Sequence, residues 1–233
     1  MGINLLDLLF PKLCVGCGEW GTYFCSRCIA NIAQTDLVCP NCEKNAIGGA
    51  VHPLCKKRYG LDGLWSLGIY QDPLKKIIQK LKYKFVREVA EVLVNLMVEY
   101  WAKYDAYFLS EIKKDGGENW VIIPVPLHPK RENWRGFNQS ALIGQILSNS
   151  IGLAYSESLK RIRHTKPQVS LKSWQRKQNI RGAFSLSTSN EKLEAMNVLL
   201  VDDVWTTGST LKECCYILKR GGAQKVWAIT LAR

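Results

Sequence analysis

An α/β fold on a parallel, doubly wound sheet, with a small metal-stabilised module at its N-terminus, is predicted by three features of this 233-residue chain. From Leu64 onward, short apolar runs that read as strands alternate with helical patterns, as strand–helix–strand units require. Before residue 60 there is no such period, and cysteines come in pairs instead. Near the C-terminus an apolar run ends in two adjacent acids and a hydroxyl-rich turn. The expected partition is 1–60 for a first helix and the metal module, and 61–233 for the α/β domain.

Residues 3–10 read as a short amphipathic helix packed on the main domain. They do not form a signal peptide, because a positive n-region is missing and Asp7 interrupts the apolar stretch. Gly2 does not make a myristoylation site, since Leu6 stands where Ser or Thr is needed. No apolar run approaches the roughly 18–20 residues that span a bilayer. A cytoplasmic, reducing location is therefore expected, and there paired cysteines mean metal more often than disulfide.

The pairs are Cys14 and Cys17, Cys25 and Cys28, and Cys39 and Cys42, with His52 and Cys55 completing the series. A two-residue spacer lets both side chains of a knuckle converge on one tetrahedral ion. Eight ligands match two structural zinc ions, and thiolates with one imidazole suit Zn(II) better than hard cations. Such closed sites serve folding rather than catalysis. Sequential pairing, the first four ligands and then the last four, needs no chain crossing; a cross-brace is the alternative, and iron–sulfur ligation the chemical runner-up. Cys214 and Cys215 lie inside a helical pattern and are expected to pack as small apolar side chains.

In the α/β part, Leu64–Tyr70 reads as a strand and Leu74–Tyr83 as a helix whose Leu74, Ile77, Ile78 and Leu81 share a face. A longer helix is expected from about Val86 to Phe108, and Asp115-Gly116-Gly117 as a loop. Then come strand Val121–Val125, a loop, helix Asn138–Ile151, a short strand near Ser156–Leu159, a polar basic loop and a short helix near Gln175. Strand Val198–Val201, helix Ser209–Arg220 and strand Lys225–Leu231 close the series, with Gly221-Gly222 as the helix stop.

The segment Val198–Leu211 carries most of the chemistry. A buried strand delivers Asp202 and Asp203 at its C-terminal edge, where open α/β sheets place ligands. Thr206, Thr207, Gly208, Ser209 and Thr210 then turn into a helix. Small residues admit an anion close to the backbone, and a helix N-terminus favours negative charge. Carboxylates that accept from hydroxyls beside a loop that holds phosphate describe a sugar-phosphate site. The bland alternative is a strand–turn–helix whose acids cap the helix. The Gly-Lys-Ser/Thr of a P-loop is missing, so ATP hydrolysis is not expected.

Two basic segments support the site. Ile123–His128 ends a strand and leads into Lys130–Gln139, where Arg131 and Arg135 are candidates for pyrophosphate because guanidinium groups engage phosphate bidentately. His128, before Pro129, reads as a turn residue rather than a catalytic one. The second segment runs from Arg161 through Arg163, His164 and Lys166 to Phe184, and reads as a flexible loop that closes over the site. Its bland alternative is a solvated basic face. Trp134 and Trp174 lie inside these basic segments and Trp205 inside the Val198–Leu211 segment; all three are candidates for base stacking, Trp205 foremost. The formal net charge of +12 points to an anionic partner such as nucleic acid.

The acid pair and loop resemble the phosphoribosyl-pyrophosphate (PRPP) motif of type I phosphoribosyltransferases. The order of parts resembles the ComF family of competence-associated proteins over nearly the whole chain: the cysteine pairs, Leu81–Lys84, Pro124-Val-Pro126, Arg135–Gln139, Arg163-x-Thr165-x-x-Gln168, Arg176–Phe184 and the phosphoribosyl loop. This resemblance implies a type I phosphoribosyltransferase-like parallel sheet flanked by helices, with a double zinc ribbon before it. It implies that Asp202 and Asp203 bind the ribose hydroxyls, that Thr206–Thr210 hold the 5′-phosphate, and that Mg accompanies PRPP. It further implies a role in natural transformation, handling single-stranded DNA beside helicase or recombination proteins. Glutamine-dependent transfer is not expected, because Cys14 is committed to a metal pair. Three readings follow: a DNA-uptake factor with PRPP or a related sugar phosphate as ligand, an active phosphoribosyltransferase on an unidentified acceptor, and a non-catalytic adaptor with a vestigial phosphate site.

Overall fold

The computed structural model describes residues 11–81, 86–104, 106–114, 116–165, 178–187 and 193–233. The helix expected over residues 3–10, the Lys82–Lys84 stretch, Asp115, Lys166, Gln168, Trp174 and the short helix near Gln175 with Arg176 lie outside the described residues.

Seven strands occur among the described residues: β1 (Gly63–Gly68), β2 (Trp120–Pro124), β3 (Ala154–Tyr155), β4 (Leu159–Arg161), β5 (Phe184–Leu186), β6 (Asn197–Val204) and β7 (Lys225–Ala232). A five-stranded parallel sheet runs in the order β1-β7-β6-β2-β3, and β4 pairs antiparallel with β5 apart from it. The helices are α1 (Ser26–Ala30), α2 (Leu74–Lys80), α3 (Val86–Tyr104), α4 (Tyr107–Lys114), α5 (Pro129–Arg135), α6 (Gln139–Ile151) and α7 (Ser209–Arg220). Among the described residues, no helix is long and apolar enough to cross a membrane.

Because side chains alternate along a strand, each central strand feeds two apolar layers. Ile122, Leu199, Val201, Trp227 and Ile229 join one cluster with residues of α2, α3 and α6. Val121, Ile123, Val198, Leu200, Val226 and Ala228 join the other, with Leu211, Cys214, Cys215 and Leu218 of α7. Burial on both faces is why these strands read as continuous apolar runs.

The N-terminal module shares these cores. Cys14, Phe24, Cys25, Cys28 and Ile32 belong to the first cluster, and Val38 to the second. The module covers the edge strand β1: Ile69 N–H donates to the Ala33 carbonyl at 2.9 Å, and Ala50 bridges Gly63. Gly68 permits the approach, since a Cβ there would lie 2.7 Å from Ile32 Cγ2 and 2.8 Å from the Ala33 oxygen. Covering an edge in this way removes a template for unwanted strand pairing.

Three expectations need correction. The single helix Val86–Phe108 is two, α3 and α4. In one straight helix, residues 101 and 108 would be about 10 Å apart along the axis; the break instead brings the Trp101 and Phe108 rings to 4.8 Å, nearly perpendicular. The short strand near Ser156–Leu159 becomes β3 and β4 on either side of a link whose Ser156 N–H donates to the Ile122 carbonyl. The stretch Lys130–Gln139 is not a loop but mostly α5, with Pro129 in its first turn and Gly136, at a φ of 87°, closing it. The basic segment Arg161–Phe184 has its two ends stapled, since Arg161 and Phe184 are register partners in the β4–β5 ladder.

Candidate functional site

The central strand β6 ends between β2 and β7, and its last residues bring Asp202 and Asp203 to the C-terminal edge of the sheet. Asp202 is half-buried. Its Oδ1 accepts from Ser140 Oγ at 2.9 Å and from the Asp203 N–H at 3.0 Å. Burial, then the neighbouring Asp203 charge, pushes the Asp202 carboxyl up to about 7, against the pull of those two hydrogen bonds and of Arg161. Ser140 is placed for this by Asn138, which caps α6 by accepting from the Ser140 N–H at 3.1 Å and donates to the Val125 carbonyl. So the ends of β2 and β6 and the start of α6 are tied at one point.

After β6 the chain turns sharply. Trp205 N–H donates to the Ala232 carbonyl at 2.8 Å, and its ring lies buried beneath the turn. Gly208 has φ of 65°, and a Cβ on it would strike the Trp205 ring at 2.2 Å. Glycine is required there on both counts. The hydroxyls of Thr207 and Ser209 are 2.8 Å apart, and α7 begins at Ser209 without a side-chain cap. A 12-residue helix whose N-cap, Gly208, has no side chain to cap it, entered by a turn of small hydroxylated residues, offers donors and a positive dipole end to an anion.

Asp202, Asp203 and Thr206–Thr210 thus occupy one strand-to-helix turn. The other candidates lie on other segments and have partners there. Arg131 donates to the Thr165 carbonyl at 2.7 Å, and Arg135 to Gln139 Oε1 at 2.6 Å. Arg163 donates to the carbonyls of Asn179 and Arg181. His128 caps α5, its Nδ1 accepting from the Lys130 N–H, and its ring meets that of His164 at 5.0 Å. His128, expected as a turn residue, is the extended N-cap of α5. The stacking role for Trp205 does not hold: the ring is 3% exposed and already fills the space under Gly208. Trp134 is 85% exposed.

Two residues were not singled out by sequence reasoning. Ser140 touches Asp202 from 62 positions away, a contact without a local signal. Arg161 reads as one cation of a basic loop, yet it is buried, lies over the Phe184 ring, and donates to Thr165 Oγ1 at 2.5 Å. Its Nε has no partner among the described residues. Burial and the adjacent Arg131 lower its basicity, while Asp202 opposes that.

In the N-terminal module, Cys14, Cys17, Cys25 and Cys28 form one cluster, and Cys39, Cys42, His52 and Cys55 another, with all ligand atoms of each within 4.8 Å of one another. The pairing is sequential. Cys14 and Cys28 sulfurs are 3.6 Å apart, as are those of Cys17 and Cys25. Zinc–sulfur bonds of ~2.3 Å in a tetrahedron place sulfurs about 3.8 Å apart, so both groups are of the right size to hold zinc. His52 turns Nδ1 toward Cys42 Sγ at 3.3 Å, while Nε2 lies 3.0 Å from the Asn45 carbonyl. That outer contact fixes the ring in the orientation a ligand needs. Cys214 and Cys215 are buried apart from both clusters, as expected.

Residues 138–233 match the family described as Phosphoribosyl transferase domain. Competence protein F of Haemophilus influenzae is 33% identical over 95% of this chain and 90% of its own length. DNA utilization protein YhgH of Salmonella typhimurium is 31% identical over 97% of this chain and 99% of its own. Competence protein ComFC of Bacillus subtilis is 26% identical over 90% of this chain and 83% of its own.

Proposed function

The chain belongs to the ComF family of competence-associated proteins, and from that membership we propose that it is a PRPP-binding DNA-uptake factor of the cytoplasm that handles single-stranded DNA. The observation that carries the PRPP reading is the pairing of Asp202–Asp203 with the N-terminus of α7 through the Gly208 turn. Asp202 and Asp203 accept from the ribose 2′ and 3′ hydroxyls, and Thr206–Thr210 hold the 5′-phosphate at the helix N-terminus. Mg enters with the pyrophosphate. Arg131 and Arg135 serve that group from α5 with the guanidinium N–H donors that Thr165 and Gln139 do not engage. Residues 1–60 act as the zinc-bound module and 61–233 as the phosphoribosyl part, with helicase or recombination proteins as partners. The DNA role rests on the relatives' names and on the net charge of +12.

Transfer to an acceptor is favoured by one observation: a cavity of about 760 Å³ beside His128, Asn138 and Arg161 leaves room for a second substrate.

Calorimetric titration of the zinc-loaded chain with Mg-PRPP tests the first reading. Wild type should release heat, and Asp203→Asn should weaken binding at least tenfold, because a hydrogen bond to a charged acceptor is worth about 1.5–3 kcal/mol. No heat from folded wild type sinks the proposal. Release of pyrophosphate with a candidate acceptor, and none without it, would establish transfer.

A further inference from the structure

We propose that the cleft between α7 and the loop that follows Cys55 is the track for a single-stranded nucleic acid. The inference deepens the DNA reading above and depends on it.

The cleft has a volume of about 620 Å³ and is lined by Lys57, Arg58, Tyr59, Arg181, Lys212 and Tyr216, among others. Its one acid among the described residues, Glu213, is engaged by the Gly182 N–H at 2.6 Å. Lys57, Arg58 and Arg181 are exposed. The Tyr59 and Tyr216 rings meet edge to face at 5.6 Å; Arg58 lies over the first at 5.2 Å and Arg220 over the second at 5.8 Å. Tyr216 keeps 39% of its surface exposed. Cations that follow a backbone beside aromatic faces that accept bases are what sequence-tolerant single-strand binding needs. A duplex keeps its bases stacked inside and would use the cations alone. An acidic peptide would have no use for the rings.

The surface is built to hold its shape. Lys212, Tyr216 and Arg220 recur every four residues and so share one face of α7. Behind them Lys219 forms an ion pair with Asp62 at 2.7 Å, with both side chains largely buried. The facing loop begins two residues after the metal ligand Cys55, whose carbonyl accepts from Asn41 Nδ2 at 2.7 Å. At one end the cleft reaches Ser209, the first residue of α7, so a bound strand would pass the phosphate turn. The cleft shares Lys57 and Arg58 with a second cleft, lined also by Lys56, Lys219 and Lys225 and by Asp62, the partner of Lys219. The cavity beside His128 lacks this bias, because its lining holds Glu132 and Glu157 as well as Lys160 and Arg161.

The test is fluorescence anisotropy of a labelled oligo(dT) against the zinc-loaded full-length chain, from low to moderate salt. Single-strand affinity should fall with salt, with a log–log slope of about −0.7 per phosphate neutralised. The triple variant Lys57→Ala/Arg58→Ala/Arg181→Ala should lose at least tenfold in affinity and make the slope shallower by about 2. Tyr216→Ala should weaken binding about tenfold at unchanged slope, the mark of lost stacking rather than lost charge. Both variants should keep the wild-type melting temperature and Mg-PRPP heat. If wild type binds and the triple variant binds equally with the same slope, the cleft is not the track, while the DNA reading stands. Loss of binding in Trp134→Ala/Lys130→Ala with both cleft variants unaffected overturns it in the same way. If folded wild type fails to bind oligo(dT) at low salt, the DNA reading falls and takes the cleft with it.

Discussion

At Asp202 stability and ligand chemistry pull in opposite directions. Its carboxyl is held up to about 7 by burial and by Asp203, with Ser140 of α6, the Asp203 N–H and Arg161 of β4 partly offsetting that, and Cys214 of α7 close by. The unfolded chain ionises this group near 4, so between about pH 4 and 7 the folded state binds the extra proton. The contribution of Asp202 to stability is therefore fully present below pH 4, is lost as pH rises toward 7, and is level above. Asp202→Asn should accordingly match wild type near pH 4 and gain on it up to about pH 7, by on the order of 2–4 kcal/mol. Urea midpoints of the two proteins across that range check this; a pH-independent difference would refute it. Gly208 gives a second prediction at this scale. Gly208→Ala combines left-handed backbone with a clash against the Trp205 ring, and should destabilise by about 2–4 kcal/mol, read as a lower urea midpoint.

The elements differ in how far their sequence announced them. The grouping of the cysteine pairs and the strand–turn–helix of Val198–Leu211 were legible because their geometry is set within a few residues: a two-residue spacer brings two thiols together, and an apolar run that ends in glycine and hydroxyls turns into a helix. Helix α5 was hidden because Lys130–Arg135 has no apolar face to give it a period, and only Pro129 and Gly136 mark its ends. The partner of Asp202, the burial of Arg161 and that of Trp205 were not legible, since each involves a contact with a distant segment: Ser140, Phe184 and Ala232 in turn. Two-part metal binding can be tested element by element. Wild type should carry two zinc ions per chain, and Cys55→Ser one, measured by native mass spectrometry. A full complement of zinc in Cys55→Ser would remove that residue from the ligand set.

Across the whole molecule, the metal module and the sheet are not independent bodies. Cys14, Cys25 and Cys28 lie in the same apolar cluster as Leu67, Leu74 and Trp227, and the module caps the edge of β1. A structural zinc holds its segment folded only while bound. Removing it should therefore release more than residues 11–60. Once Ile32 and Ala33 leave β1, Ile69 loses its acceptor and Leu67 and Leu74 lose neighbours. The β6–β2 pair, covered on both faces by α6 and α7, keeps its own. Hydrogen exchange before and after chelation should thus show protection lost in the module, in β1 and in α2, and retained in β2, β6 and α7. Two results would contradict this coupling: loss confined to residues 11–60, or loss spread evenly over the chain. The same experiment bears on the basic cleft, whose facing wall, Lys57–Gly60, hangs from Cys55. Chelation should weaken oligo(dT) binding while Mg-PRPP heat persists, because the Gly208 turn is supported by β6, β7 and Trp205 rather than by either metal cluster.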